Sequence, residues 1–224
     1  MELSTEVSLN RVELTELDES LRHKLRECKR LELMENKLTS LPEWFGELTN
    51  LKHLDLSCNK NLTKLPESFG QLTSLVRLDL DHCSLTELPE SVGQLRSLKR
   101  LDLQYNKLTR LPESFGQLRH LRTLDLTSNQ LTALPESFGQ LSNLCDLDLS
   151  INQLTALPES FGENMRILSK LKLHNNKLST LPKSVRRLAS SLLVLDIHHN
   201  KLPPAQLSDL NTLFPICLTH AQVF

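Results

Sequence analysis

The sequence predicts an α/β repeat protein: a right-handed, horseshoe-shaped solenoid with a parallel sheet on its concave face and short helical or 3-10 turns on its convex face. Two observations predict this fold class. A Leu-x-Leu pair recurs along the chain, beginning at Leu31, Leu54, Leu78, Leu101, Leu124, Leu147, Leu171 and Leu195. Successive pairs are 23 or 24 residues apart, and a fixed period of this length indicates stacked repeats. The aromatic content is only 4%, which suits a stack of small units better than one closed core.

Each Leu-x-Leu pair predicts a short strand, because alternation places the leucines on a buried face and the residue between them on an exposed face. One strand per repeat, always in the same direction, gives a parallel sheet with strands about 4.8 Å apart. The position after the strand holds Asn36, Asn59, Cys83, Asn106, Asn129, Asn152, Asn176 and Asn200. We expect these asparagines to point inward and bond backbone groups that the turn leaves unpaired.

The remainder of each repeat predicts a returning limb. It begins at a proline, whose missing N–H does no harm outside the sheet: Pro42, Pro66, Pro89, Pro112, Pro135, Pro158 and Pro182. An apolar spine follows, formed by Phe45, Phe69, Val92, Phe115, Phe138, Phe161 and Val185. All six glycines of the chain come next, where we expect each to permit a tight bend. Arg186 stands in place of glycine in the seventh repeat, so we expect that turn to differ.

The repeat motif resembles that of a known family. The segment Leu-Thr-Ala-Leu-Pro-Glu-Ser-Phe-Gly-Gln-Leu at 131–141 resembles the 23-residue repeat of intracellular Ras-group leucine-rich-repeat proteins. Similar repeats occur in GTPase-linked scaffold proteins and in some bacterial repeat proteins. The resemblance covers residues 28–202 and implies a leucine-rich-repeat solenoid that acts as a protein scaffold, in some members for a small Ras-type GTPase and a phosphatase. The chain departs from the larger scaffolds in having about eight repeats and no obvious phosphatase-docking segment.

The two ends predict caps, because a solenoid must cover its terminal core. We expect residues 1–27 to form a degenerate repeat and helical cap, residues 28–202 the leucine-rich repeats, and residues 203–224 a C-terminal cap. Val7 and Leu9 align with the first strand at an offset of 24 residues. Helical spacing predicts a helix in the N-terminal cap, with its apolar face formed by Leu14, Leu17, Leu21, Leu25 and Cys28. A second capping helix is predicted at the other end over Leu207, Leu210, Leu213 and Phe214. Extra residues near 163–167 and 189–192 lengthen the sixth and seventh repeats.

Composition limits the partner and the compartment. The net charge of -1 gives no global field for nucleic acid or an acidic membrane. The cysteines are odd in number, widely spaced and without a CxxC pair, which favours a reducing compartment: Cys28, Cys58, Cys83, Cys145 and Cys217. We find neither a basic start with an apolar run nor an apolar stretch of about 18 residues, so we expect no signal peptide and no membrane insertion. We predict a cytoplasmic monomer.

Outward positions on the predicted sheet are the candidate binding surface. The candidate partner-binding residues are Arg77, Asp79, Asp81, Arg100, Asp102, Gln104, Tyr105, Asp125, Asp148, Ile151, Lys170, Lys172, His174 and His198. A row of aspartates about 4.8 Å apart repels itself, which favours a basic ligand; the alternative is a solvated row set by the repeat consensus. Tyr105 is the only tyrosine of the chain and a candidate hot spot.

The C-terminal part of the chain differs in charge. Residues 164–224 carry a net charge of +6, against -7 for the remaining 163 residues. One interpretation is that the two ends meet oppositely charged surfaces. The alternative is a solvated basic end that aids solubility.

Catalytic motifs are not found. Nucleophile elbows, P-loops, GxGxxG turns and HExxH helices are absent from the sequence, and a glycosidase would need a carboxyl in an apolar pocket. We therefore assign no catalytic, cofactor-binding or metal-binding residue and expect no cofactor. The predicted function is a non-catalytic interaction module or signalling scaffold. The alternative is the substrate-recognition domain of a larger ubiquitin ligase, kinase or GTPase whose catalytic part lies outside this chain.

Metal binding stays open at two groups of residues. Cys58 and His82 fall in one rim column on adjacent repeats, with His53 on the strand of Cys58. His174 and His198 are lateral neighbours, beside His199 and Asp196. Each group offers two or three ligands, whereas structural zinc prefers four. The alternative is that these are histidines at variable surface positions.

Overall fold

Nine parallel strands of three residues each stack in chain order in one open sheet; a computed structural model describes residues 5–215 of the chain. The strands are β1 (Glu6–Ser8), β2 (Arg30–Glu32), β3 (His53–Asp55), β4 (Arg77–Asp79), β5 (Arg100–Asp102), β6 (Thr123–Asp125), β7 (Asp146–Asp148), β8 (Lys170–Lys172) and β9 (Val194–Asp196). The central leucines lie side by side, from Leu31 beside Leu54 to Leu171 beside Leu195. The predicted solenoid is confirmed.

The convex side consists of short 3-10 helices. They span Glu43–Glu47, Glu67–Gln71, Glu90–Gln94, Glu113–Gln117, Glu136–Gln140 and Lys183–Ser190. Each one begins directly after a proline in extended conformation, such as Pro112 at φ -68° and ψ 154°. The sixth repeat has turns instead, around Gly162, and the last 3-10 helix is eight residues long rather than five. Both departures fall where the sequence carries extra residues or lacks glycine.

The asparagines form the predicted ladder inside the turns. Asn129 is typical: its Nδ2 donates to the carbonyl oxygens of Leu103 (2.9 Å) and Leu126 (3.1 Å), and its Oδ1 accepts from Leu108 N (3.0 Å). Each asparagine therefore ties its own turn to the preceding repeat. At the exceptional Cys83, the thiol reaches only Leu56 O (3.4 Å) and Asp81 O (3.8 Å).

A stacked row of aromatic rings fills the convex core, as predicted. The rings of Phe115 and Phe138 lie 6.0 Å apart with an interplanar angle of 3°, and Phe138 and Phe161 lie 6.1 Å apart. Val92 is also buried and separates Phe69 from Phe115. Offset parallel rings at this separation add to the stabilisation that burial gives.

The predicted reason for the glycines is wrong at five of the six positions. Among the glycines, only Gly162 has a positive φ, of 89°. At Gly116, an added Cβ would lie 2.2 Å from the backbone oxygen of Ser137 in the next repeat. The glycines are needed because consecutive repeats approach each other closely there. In the sequence, this contact is marked by the serine that stands two residues before the glycine of the next repeat, such as Ser137 before Gly139.

Both ends are covered, with one correction to the predicted N-terminal helix. β1 pairs in parallel with β2 through Val7 beside Leu31, at the offset of 24 residues found in the sequence. Helix α1 spans only Ser20–Leu25. Leu14 lies before it and accepts a hydrogen bond from Lys37 N (2.8 Å) in the next returning limb, so the helical spacing from Leu14 reflected the repeat rather than a helix.

The predicted C-terminal helix is confirmed as α2, Pro204–Leu213, with Pro204 at its first position, where proline is tolerated. Leu210 and Phe214 close the core. Cys217 and the last part of the predicted cap, 216–224, lie outside the described residues, as do residues 1–4.

Candidate functional site: the concave face of the sheet

The parallel register brings the candidate residues into rows across the strands. Arg77 lies beside Arg100, and Asp79, Asp102, Asp125 and Asp148 follow one another on β4 to β7. Lys172 continues this row on β8. Their leucine neighbours are buried, so the fold fixes the spacing of the outward side chains while leaving their chemistry free to vary.

The two ends of the aspartate row have cationic partners. Arg77 Nε lies 2.6 Å from Asp79 Oδ2, and Lys172 Nζ lies 3.0 Å from Asp148 Oδ2. Burial raises the pKa of Asp79 despite the nearby Arg77. Burial also acts to raise the pKa of Asp148, but hydrogen bonds from Ser150 and Lys172 outweigh it and the pKa is lowered. The end at β7 is therefore well compensated.

The centre of the row is not compensated. Burial raises the pKa of Asp102 to about 6, and the carboxylates of Asp125, Asp81 and Asp79 add to the shift. Its hydrogen bonds come from Gln104 N (3.2 Å) and Gln104 Nε2 (3.3 Å). Within residues 5–215 no ion pair reaches Asp102 or Asp125. Arg77 therefore pairs with the aspartate two residues later on its own strand, whereas Arg100 forms no such ion pair with Asp102.

A rim column lies beside this row, at the residue that precedes each ladder position. Its backbone is left-handed throughout, with φ between 52° and 61° at Glu35, Cys58, His82, Tyr105, Ser128, Ile151, Asn175 and His199. Sequence reasoning missed this conformation, because most residues of the column are not types that favour it; Asn175, His82 and His199 are the exceptions. A β-branched isoleucine in this region is strained, and Ile151 is nonetheless 45% exposed.

Tyr105 is held by its neighbours although it is 49% exposed. Its ring stacks on His82 with centroids 4.3 Å apart. His82 Nδ1 lies 2.9 Å from Asp81 Oδ2, and Ser57 Oγ donates to Asp81 Oδ1 (2.5 Å). A chain of contacts across three repeats therefore orients the tyrosine, which reduces the entropy it would lose on binding.

The two lysines of β8 that were predicted to contact a partner lie beside aspartates of β7. Lys170 Nζ is 3.6 Å from Asp146 Oδ2, and Lys172 is paired with Asp148. These two lysines compensate the preceding strand rather than forming a free basic patch. The expected role of the basic end in steering a partner stays a prediction.

Histidines converge at the C-terminal end of the face. His174 Nδ1 lies 3.1 Å from Asp196 Oδ2, and His198 Nδ1 contacts Asp196 Oδ1. The two rings are parallel within 3° and 4.7 Å apart. At the other end, Cys58 and His82 are joined by Asp81, which the sequence had not placed with them, rather than by His53.

The stacked strands, the buried asparagine ladder and the open polar face define a solenoid repeat protein. The family model described as Leucine rich repeat matches residues 28–85, 74–131 and 142–202. The chain belongs to the leucine-rich repeat family. A comparison with curated proteins found no match.

Solved structures with the same fold include a bacterial protein and two plant receptors. The leucine-rich-repeat protein LIC12759 of Leptospira interrogans is 24% identical, with TM-score 0.51, 93% of this chain and 82% of that chain covered. The ectodomain of the membrane receptor kinase GASSHO1/SCHENGEN3 of Arabidopsis thaliana, in complex with CASPARIAN STRIP INTEGRITY FACTOR 2, is 30% identical, with TM-score 0.74 and coverage of 91% and 25%. The plant peptide hormone receptor RGFR1, in complex with RGF2, is 35% identical, with TM-score 0.70 and coverage of 80% and 30%.

This chain thus spans about a quarter to a third of the two plant receptor chains. Leucine-rich-repeat domains generally mediate interactions between proteins. Over residues 5–215, none of the helices has both the length and the apolar character needed to cross a membrane.

Proposed function

We propose that this chain is a non-catalytic scaffold that binds a partner protein or peptide through the concave face. The observation that carries the proposal is the pair of half-buried carboxylates Asp102 and Asp125, which lie side by side on β5 and β6 and form no ion pair within residues 5–215. Burial and the neighbouring carboxylates raise the pKa of Asp102. A lysine or arginine of a partner placed over Asp102 and Asp125 would relieve that repulsion. The candidate contact residues given from the sequence are the proposed binding surface.

The aromatic contact of this surface is Tyr105. A large, rigid and amphipathic side chain that is already oriented by its neighbours is the type that dominates binding energy. Ile151 adds an apolar contact 46 residues further along the same rim. The two receptor structures in complex with their ligands support protein or peptide binding by this fold.

The roles that we propose for the parts of the chain, and for its cellular setting, are those predicted from the sequence. We propose that residues 28–202 form the binding unit and that residues 1–27 and 203–224 act as caps. A monomer in the cytoplasm, acting in signalling, is the proposed setting. The four cysteines within residues 5–215, Cys28, Cys58, Cys83 and Cys145, are free, which supports a reducing compartment. A small GTPase or a phosphatase is the partner that the Ras-group resemblance suggests.

A second candidate function is the recognition part of a larger enzyme. It is favoured by one finding: one matched structure is the leucine-rich-repeat ectodomain of a membrane receptor kinase, which is a part of a larger protein. Determining the full reading frame of the natural transcript distinguishes the two, because a catalytic domain joined to this chain favours the second.

The test of the scaffold proposal is binding by a rim variant. A partner is first captured by affinity purification with cross-linking, and its dissociation constant is then measured. Tyr105→Ala should weaken binding by about 2 kcal/mol, roughly thirtyfold, without a change in the melting temperature. Ser128→Ala, at the same rim position one repeat later, is the matched control and should leave affinity unchanged. Equal affinities for wild type and Tyr105→Ala would remove the proposed hot spot.

A further inference from the structure

At the C-terminal end of the concave face, two residues of the proposed binding surface, His174 and His198, lie together with Asp196. We propose that His174, Asp196 and His198 bind one divalent transition-metal ion, with Zn²⁺ as the ion that their chemistry fits. The three residues come from two neighbouring strands and their extensions, because β8 and β9 pair in register. Their ligand atoms all lie within 4.8 Å of one another.

The separations suit a zinc ion. Ligands around tetrahedral zinc at bonds near 2.1 Å are about 3.4 Å apart. His174 Nδ1 and Asp196 Oδ2 are already 3.1 Å apart, and His198 Nδ1 is in contact with the other carboxylate oxygen. Imidazole nitrogen and carboxylate oxygen are both ligands that zinc takes. Because the two imidazole rings are stacked in parallel, at least one ring must rotate about its Cβ–Cγ bond before both nitrogens can face the same ion.

A metal ion at this site would replace one hydrogen bond and would have three protein ligands. Ser150 Oγ lies 2.8 Å from His174 Nδ1, the nitrogen that faces Asp196, so an ion bound to that nitrogen displaces the serine. The ring of His199 packs edge-on against His198 at 4.8 Å. Lys172, beside Asp196 in the register, directs its Nζ to Asp148 on the opposite neighbouring strand. Its charge is therefore paired away from the ion. Three protein ligands plus one open position is the arrangement in which zinc retains water or accepts a group from a partner.

The second group, Cys58, Asp81 and His82, is a weaker candidate and serves as the internal control. Zinc binds the thiolate, and burial together with the Asp81 carboxylate raises the pKa of the Cys58 thiol. Asp81 and His82 are also engaged, by Ser57 and by the Tyr105 ring. Binding there would have to break these contacts and remove a proton from the thiol.

The test is calorimetric titration of the tag-free full chain with Zn²⁺, beside the variants His198→Gln and Asp196→Asn. We expect one ion per wild-type chain and a loss of affinity of at least about tenfold in each variant. Asp196→Asn keeps the size of the side chain, so its fold should be retained, which circular dichroism checks. Cys58→Ser and His82→Gln are the matched controls and should bind as wild type does.

Co²⁺ absorption gives a readout that needs no variant. Binding at the proposed site gives a spectrum of nitrogen and oxygen ligands without a thiolate charge-transfer band. A thiolate band, loss of binding in Cys58→Ser, or Zn²⁺ affinity unchanged in Asp196→Asn and His198→Gln would each overturn the proposal. Absence of Zn²⁺ binding by the folded wild-type chain would overturn it as well.

Discussion

At the scale of single residues, the concave face contains carboxylates whose charges have opposite effects on the stability of the fold. Asp102 and Asp148 occupy the same strand position two repeats apart. Burial and neighbouring carboxylates raise the pKa of Asp102, whereas hydrogen bonds from Ser150 and Lys172 overcome burial and lower the pKa of Asp148. The residue type was readable from the sequence, but the direction of its pKa shift was not, because that direction depends on burial and on contacts such as that of Lys172 one repeat away.

Asp102→Asn is expected to stabilise the protein at pH 7. Since the folded-state pKa of about 6 exceeds the ordinary value of 3.8, the folded state binds more protons between these limits, and stability falls as pH rises through them. Removing the charge should raise the free energy of unfolding at pH 7 by about 1–2 kcal/mol after allowance for solvent screening. The gain should shrink as pH falls toward about 4, as urea unfolding at several pH values would measure.

Asp148→Asn is the matched control with the opposite sign. A lowered folded-state pKa contributes stability above the ordinary value, and that contribution is lost as pH falls through the folded pKa. This variant should therefore be less stable than wild type at pH 7. If both substitutions shift stability in the same direction, the distinction between the centre and the end of the aspartate row is wrong.

The strained rim residue Ile151 gives a second prediction at this scale. A left-handed conformation costs an isoleucine about 1 kcal/mol more than it costs asparagine or glycine, and little packing would be lost because the side chain is exposed. Ile151→Asn should raise the melting temperature. The reciprocal change, Asn175→Ile at the same position of the next repeat, should lower it by a similar amount. Two unchanged melting temperatures would rule out the strain.

At the scale of the repeat element, the asparagine ladder couples neighbours. An asparagine in the last repeat makes the same hydrogen bonds as Asn129 in the middle of the solenoid. Asn200 donates to Leu173 O (2.9 Å) and Ile197 O (3.0 Å) and accepts from Leu178 N (3.0 Å). Asn129 is buried between complete repeats, whereas Asn200 is only half-buried beside α2. Burial therefore separates the two positions, although their bonding is the same.

Asn129→Ala should destabilise the protein by about 1–3 kcal/mol, because it leaves buried carbonyl and amide groups unpaired. Asn200→Ala should cost less, because water reaches the groups that it leaves unpaired and a terminal repeat has fewer neighbours. Urea unfolding of both variants under one condition measures the difference. Equal or reversed losses would contradict the ladder's dependence on burial.

Periodic features of the element could be predicted from the sequence, and features set by contacts between repeats could not. The strands, the ladder and the phenylalanine row recur at fixed positions, so spacing alone located them. Leu14 and Leu17 misled because three-residue spacing occurs both in a helix and in the returning limb. The glycines were located but misinterpreted, since the 2.2 Å approach between Gly116 and Ser137 exists only after the repeats stack.

At the scale of the whole molecule, charge is graded along the concave face. The acidic centre on β5 and β6 is free of ion pairs within residues 5–215, while the lysines of β8 neutralise the aspartates of β7. The sequence showed the basic C-terminal part but not that its strand lysines are occupied. The molecule therefore presents a central acidic surface beside an oriented tyrosine, and we propose that this surface recognises a basic partner.

The most direct measurement is the affinity of a captured partner for the double variant Asp102→Asn/Asp125→Asn. If the acidic centre binds a lysine or arginine, the variant should bind at least tenfold more weakly, about 1.4 kcal/mol, and raised salt should weaken the wild type more than the variant. Glu136→Gln/Glu113→Gln removes the same charge on the convex side and should bind as wild type does. Unchanged affinity in the concave variant, or equal loss in the convex one, would contradict the account.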